Sequence, residues 1–464
     1  MTNIKKSDCD CNEERRDFLK KVGKAGIALG VMGMTVGNRN FLREAHANTV
    51  APENAFYDCA LQIFFSGGPS QTDTWDVKPG SRNNVFNTIN LGIKDAYNED
   101  IRISSVFPNL ANLVQNDAAV GLGLFRSMTH GTNSHGNGQR FMNSFWQGTL
   151  STLYPSTAAV MAHYYQGTGI GIPSVVINGG NGREVNLSRM SRCPTALMVN
   201  AGSNQGTNPV VQALTKPAGV DDARYQRRQA LITKLNARYL ANRPDAIAAA
   251  YDKARKDAAD VTIKGDAAKA FDLTGVTLVP ARDNNTARRL TQAVRLLEAG
   301  VPYVSCGIGG NDSHGNNTRT INGNWGQSVD GGVVEIVNRL KASGKRCLII
   351  LGGEFGRTPA SVRNGRDGRD HWGDGFSWAT ISVNQPKFKT SAFGQTGPDG
   401  MFRERDGNLV DPVHPKDLGA FVYRALGFQT GVKVEYDIPL TDREAPAVDR
   451  VNIGTRLLTN FGLV

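Results

Sequence analysis

Three stretches of this chain are apolar at almost every position and then stop at glycine. YDCALQIFF (57–65) runs into Ser66-Gly67-Gly68, PYVSCGI (302–308) into Gly309-Gly310, and KRCLIIL (345–351) into Gly352-Gly353. A strand with one wet face alternates polar and apolar. A short continuous apolar run fits a strand covered on both faces, as in parallel sheets. AAVGLGLFRS (118–127) and IPSVVING (172–179) have the same character. Helical patterns lie between them. They include VFPNLANLVQN (106–116), LSTLYPSTAAVMAHYYQG (150–167), the amphipathic TARRLTQAVRLLEAG (286–300) with its glycine stop, WGQSVDGGVVEIVNRLKASG (325–344) and HPKDLGAFVYRALGF (414–428). The fold class is therefore α/β, with a mostly parallel central sheet flanked by helices. Residues 205–285 break the alternation. They are charged, Ala-rich and helical, and read as a helical insertion.

The N-terminus carries a different signal. Arg15-Arg16 is followed by Phe18, Leu19 and Lys20, then by a weakly apolar stretch at 22–37 and Ala45-His46-Ala47. This pattern resembles a twin-arginine export signal ending at a small-x-small cleavage site, although Glu14 stands where Ser or Thr is usual. The expected division is a signal peptide over 1–47 and one α/β domain over 48–464, with the insertion at about 205–285. The route carries folded proteins and implies a periplasmic or extracellular destination. Removal of nine Lys/Arg and six Asp/Glu takes the net charge from +11 to +8. No later run reaches membrane length, so no transmembrane segment is expected in the mature chain. The basic excess is spread out, and a nucleic-acid footprint clusters; nucleic acid is not an expected partner. Four cysteines follow the signal (Cys59, Cys193, Cys306 and Cys347), none with zinc-motif spacing, and their pairing is open.

In open α/β sheets, ligands bind beyond the carboxyl ends of the strands. The residues just after each strand are therefore the candidates. They are Asp73 and Asp76 after the first strand, His130 and His135 after the 118–127 strand, and Asp312 and His314 after 302–308. Glu354 and Arg357 follow the 345–351 strand, and Asp370 and His371 come soon afterwards. Four of the six histidines beyond the signal stand in these loops, each among Gly, Asn or Asp. Singly, each is a hydrogen-bonded turn residue. Together with the acids they suit a divalent metal (Zn, Mn, Mg, Ca or Fe) or an anion site. Asp312 and His314, two apart, point the same way on extended backbone. Arg126 and Arg357 suit either the oxygens of a phosphate or sulfate, or a salt bridge to a nearby acid. His163 reads as structural, and His414 as orienting the start of the last helix.

SGGPSQTDTWDVKPG, RSMTHGTNSHG, GGNDSHGNN, GGEFGRTP and GRDHWGDGFSWA, in this order, resemble the family of domain of unknown function 1501 over about residues 57–430. That family is a branch of the alkaline-phosphatase-like and sulfatase-like superfamily. The resemblance implies a central sheet, often a two-metal site at the strand ends, and hydrolysis or transfer of phosphate or sulfate esters. It makes Asp312, His314, Glu354 and His371 metal ligands, with Asp370, Asp73, His130 and His135 as further metal-site candidates. Thr132 and Ser134 become the hydroxyls available as nucleophile, and Arg357 the residue that holds the ester oxygens. The substrate class is an anionic ester, small or polymeric. Two departures stand out: Ser66-Gly67-Gly68 occupies the place of an aspartate, and Phe355 that of a histidine. They keep open an alternative, a non-catalytic exported binding protein on the same fold.

Overall fold

The computed structural model describes residues 55–81, 83, 85–147, 156–164, 172–178, 197–199, 219–242, 266–360, 367–400, 410–428 and 451–464. The export signal, Cys193 and parts of the insertion lie outside them. An eight-stranded sheet forms the centre. Its strands are β1 (Cys59–Phe65), β4 (Val120–Met128), β5 (Ser174–Ile177), β6 (Leu197–Val199), β7 (Tyr303–Ile308), β8 (Cys347–Gly352), β11 (Phe376–Val383) and β12 (Ser391–Phe393). They are ordered β12-β4-β11-β8-β1-β7-β5-β6. Seven strands run one way and β11 alone is reversed, antiparallel to both β4 and β8. The mostly parallel sheet follows the sequence pattern. Residues 376–383, which stand out in the sequence only through the motif they end, form a strand buried along its whole length.

The continuous apolar runs are explained by the two cores. On β1, Cys59, Leu61, Ile63 and Phe65 enter one cluster, while Ala60 and Phe64 enter the other. On β8, Cys347, Ile349 and Leu351 alternate with Leu348 and Ile350 in the same way. Side chains that alternate across a strand bury both faces only if helices cover both. The first face is covered by α1 (Pro108–Asn116), α6 (Asn284–Glu298) and α8 (Val334–Ala342). The second is covered by α2 (His135–Ser144), α3 (Thr157–Tyr164), α9 (Pro415–Ala425) and α10 (Val451–Asn460). In the insertion, α4 (Asp222–Asn242) and α5 (Asp266–Phe271) are helical as the sequence indicates.

One expected helix differs in kind. The 325–344 pattern is realised as α7 (Asn317–Thr320), a wide π-type stretch Ile321–Val333, and then α8. Within the π stretch Asp330 accepts from Leu110 N at 2.8 Å and Asn109 N at 3.2 Å, and so caps the exposed amides of α1. The sequence pattern also misses two small antiparallel pairs, β2 (Thr88–Lys94) with β3 (Asp100–Ser104) and β9 (Gly356–Arg357) with β10 (His371–Trp372). His414 begins α9 as expected: its N–H donates to Asp417 at 2.8 Å.

All the loops singled out in the sequence meet at one edge. Those after β1, β4, β7 and β8 leave from carboxyl ends, and the segment before β11 arrives at the same edge because β11 is reversed. The Gly67-Gly68 turn packs tightly there. Gly67 has φ +116°, and a Cβ on it would lie 2.2 Å from the backbone nitrogen of Asp312. Gly67→Ala is expected to cost about 2–4 kcal/mol, from the positive φ and the clash together. Chemical denaturation of the two proteins measures this, and a loss below about 0.5 kcal/mol would contradict the packing described.

Candidate metal centre

Asp312 and His314 follow β7 as a pair. His371 opens β10, and His135 is the first residue of α2. Asp312 Oδ1 lies 3.1 Å from His314 Nε2 and 3.3 Å from His371 Nε2, and its Oδ2 lies 3.5 Å from His135 Nε2. The two nitrogens His314 Nε2 and His371 Nε2 are 2.9 Å apart. Ligand atoms of His135, Asp312 and His371 all lie within 4.8 Å of one another. Three of these residues, from the loop after β7, the start of β10 and the start of α2, thus face one another, and His314 lies beside Asp312 and His371.

The other ring nitrogen of each histidine decides what faces that point. His135 Nδ1 is 2.7 Å from Glu354 Oε1, His314 Nδ1 is 2.8 Å from Asp370 Oδ1, and His371 Nδ1 is 2.9 Å from the Asn133 carbonyl. A carbonyl or carboxylate accepts, so each Nδ1 carries a ring proton, and Nε2 is the atom each ring can offer as a lone pair when neutral. Two imidazole lone pairs 2.9 Å apart, with a carboxylate oxygen beside both, repel one another unless a cation lies between them. Bond lengths of about 2.0–2.1 Å in tetrahedral geometry put ligand atoms about 3.3 Å apart. The distances from the Asp312 carboxylate to the three rings, 3.1, 3.3 and 3.5 Å, lie near that spacing, and the Nδ1-to-acceptor contacts are of the kind that orient histidine ligands.

Charge supports the arrangement. Burial pushes the Asp312 carboxyl up, but the hydrogen bond and charge of Arg357 and the contact with His371 outweigh it and hold it at about 2. Burial, reinforced by the Arg357 charge, lowers His371, so the ring is neutral and able to ligate. The hydrogen bond to Glu354 raises His135 and so favours its protonated form, from which an ion at Nε2 has to displace a proton. Phe355 lies against two of the rings, 4.4 Å from His371 and 5.0 Å from His135 between centroids. Its place in the sequence, expected for a histidine, is thus used to pack these two rings.

Several expected site residues have other roles. Arg357 is fully buried, and its donors are turned to acceptors inside the protein and not to an ester. It donates to Asp312 Oδ1 at 2.5 Å, Gly68 O at 2.9 Å and Arg369 O at 3.0 Å, and also to Gly67 O. It realises the salt-bridge alternative, as does Arg126, 3.1 Å from Asp95. Asp73 is turned away and saturated by Arg369 at 3.0 Å, Ser70 at 2.6 Å and Asn317 at 2.7 Å. Asp76 is buried against Lys78 at 2.8 Å. His130 is buried, with Nε2 2.5 Å from the Glu354 carbonyl. Glu354 lies behind His135: its Oε1 accepts from His135, from Gly67 N at 2.8 Å and from Gln139 at 3.2 Å. Asp370 likewise sits behind His314. Thr132 and Ser134 flank Asn133, and Ser134 precedes the first residue of α2 with its side chain making no cap. Sequence reasoning misses Asn133, Gln139 and Arg369. Asn133 acts through a backbone oxygen, which no side-chain pattern reveals.

The family match agrees with the loops that build this centre. The sequence model described as "Protein of unknown function (DUF1501)" matches residues 58–430. The chain belongs to that family. Every donor of the centre falls inside the matched span. No match is found among curated proteins. Two solved structures align along most of the chain. The lipoteichoic acid synthase LtaP from Listeria monocytogenes aligns at 10% identity and TM-score 0.33, covering 88% of this chain and 79% of that one. The C-terminal periplasmic domain of EcEptC from Escherichia coli, in complex with Zn, aligns at 10% identity and TM-score 0.31, covering 82% and 86%.

His130 gives this family member an acid sensitivity of its own. Burial is the main cause that lowers its pKa, from 6.5 to about 4. The unfolded chain therefore binds the extra proton between those values, so stability is full above about 6.5 and falls as the pH drops toward 4. The expected loss is about 3 kcal/mol across the window. Urea melts in the presence of a chelator, from about pH 7 to about pH 4, should show a shallower decline for His130→Asn than for the parent. Parallel declines would remove His130 as the cause.

Proposed function

We propose that the protein is an exported, metal-dependent hydrolase of phosphate or sulfate esters, with a divalent ion held by His135, Asp312, His314 and His371. The observation that carries this reading is the set of three Nδ1-to-acceptor contacts, which turn three Nε2 atoms toward one carboxylate. Three nitrogens and one oxygen suit a borderline ion of the zinc type better than magnesium or calcium. When bound, such an ion supplies Lewis-acid polarisation of an ester oxygen and activation of a hydroxyl or water.

The chain's own residues then have distinct tasks. Glu354, Asp370 and the Asn133 carbonyl hold the rings in register. Asp312 stays a carboxylate because Arg357 is beside it. Ser134 stands exposed one residue before His135, and Thr132 lies two residues earlier, so both hydroxyls are on the segment that borders the centre. The open amides at the start of α2 favour negative charge at that same place. The anionic oxygens of an ester are therefore assigned to this helix start and not to Arg357. Export rests on the twin-arginine pattern. Among the described residues no helix is long and apolar enough to cross a membrane.

The non-catalytic alternative, an exported binding protein on the same fold, draws support from one observation: the arginine expected to clamp the ester is consumed inside the protein. Turnover of a broad ester panel by metal-loaded protein separates the two readings. Elemental analysis tests the ion itself. The parent should retain about one equivalent of divalent metal, and His314→Ala/His371→Ala should lose it. Glu354→Gln and Asp370→Asn should weaken metal affinity about 10–100-fold without removing a donor. Full metal content in the double variant would sink the assignment. Metal without any turnover would leave the binding protein as the reading.

A further inference from the structure

We propose that Cys59 and Cys347 form a disulfide that joins the first residues of β1 and β8 at the edge of the sheet opposite the metal centre. The sequence leaves four cysteines without a pairing. Among the three in the described residues, the fold brings two together. Cys59 and Cys347 are Cα partners in the register of two adjacent parallel strands. Both side chains enter the same core cluster, so they point to the same face of the sheet. Neighbouring strands lie about 4.8 Å apart, within the Cα separations that disulfides span. Each cysteine is the first residue of its strand, where the backbone can adjust to the geometry that the bond requires. The thiols already touch: burial is the main cause that raises the Cys347 thiol, and a hydrogen bond with Cys59 adds to it. Cys306 also lies in this cluster, but its register partner on β1 is Ile63, further along the strand from Cys59.

The chemistry is a thiol–disulfide exchange with an external disulfide, either a small one or that of an oxidoreductase. Cys59 is the more accessible of the two, and Asp58 and Arg346 beside it reach the surface. Its sulfur attacks one sulfur of the oxidant, and a thiol leaves. Cys347 then attacks the mixed disulfide at the Cys59 sulfur, and the second thiol leaves. Two protein thiols are oxidised and one disulfide is reduced to two thiols, which take up the two protons that the cysteines release. In the structure both thiols are free and buried. The bond would fix strands that are 288 positions apart in the chain, by the arithmetic 347 − 59.

The test incubates folded protein with oxidised glutathione, then alkylates, digests without reduction and maps the peptides by mass spectrometry. The expected result is a Cys59–Cys347 linked peptide, with Cys306 alkylated only after denaturation. The melting temperature should rise on oxidation of the parent and of Cys306→Ala, but not of Cys347→Ala. Protein that keeps all its thiols after oxidant, with an unchanged melting temperature, would overturn the proposal. So would a linked peptide containing Cys306 or Cys193. Should Cys347→Ala fail to fold, the parent and Cys306→Ala still support or overturn the proposal by their linked peptides alone.

Discussion

A fully buried guanidinium holds the loops of this protein together. Arg357 is surrounded by carbonyl oxygens of Gly67, Gly68 and Arg369 and by the Asp312 carboxylate. Taking an arginine out of water costs several kcal/mol unless its donors are met by well-placed acceptors. Here the acceptors come from the turns after β1 and β7 and from the segment that leads to β10. The planar fork requires all three to be in place at once, so the three loops behave as one body. The same contact aims Asp312 and keeps it ionised. A metal-ligand carboxylate needs both.

The histidines depend on this body in turn. His371 follows Arg369 by two residues, and β10 pairs with the strand that contains Arg357 itself. His314 follows Asp312 by two. His135 is brought in by α2, whose Gly138 lies against Glu354 so closely that a Cβ would approach the Glu354 carbonyl oxygen to 2.9 Å. Each ring is held by an acceptor of a different origin: a buried carboxylate, a half-exposed carboxylate and a backbone carbonyl. Carboxylate partners raise ligand basicity more than a carbonyl does.

Local and non-local information divide cleanly along these lines. The apolar runs of β1, β7 and β8 are legible because burial on both faces leaves no alternation to confuse. The helices at 108–116, 284–298 and 415–425 are legible because each has an apolar stripe and a defined start. The reversed strand β11 is not, since its direction depends on which neighbours remain unpaired once the parallel strands are in place. The π stretch 321–333 has the pattern of ordinary helix; what distinguishes it is tertiary, with Trp325 stacked on Phe65 and Asp330 capping α1. Among the site residues, the four histidines of the post-strand loops are recognisable as a set. Whether His130 or His135 faces the centre cannot be read from the chain, because both lie on one loop and only the position of Glu354 separates them.

The sequence by itself determined the class of fold, the edge of the sheet where the candidate residues gather and the side-chain types present there. Those follow from burial, from strand ends and from side-chain chemistry, all written locally. Only the tertiary structure decided who touches whom. It placed Arg357 inside the protein and not at a substrate, turned Asp73 toward Arg369, put Glu354 and Asp370 behind histidines, and made Cys59 a neighbour of Cys347. The reason is physical: a polar side chain is defined by its partner, and most of these partners lie far away along the chain, brought into reach only when the strands between them have closed into one sheet.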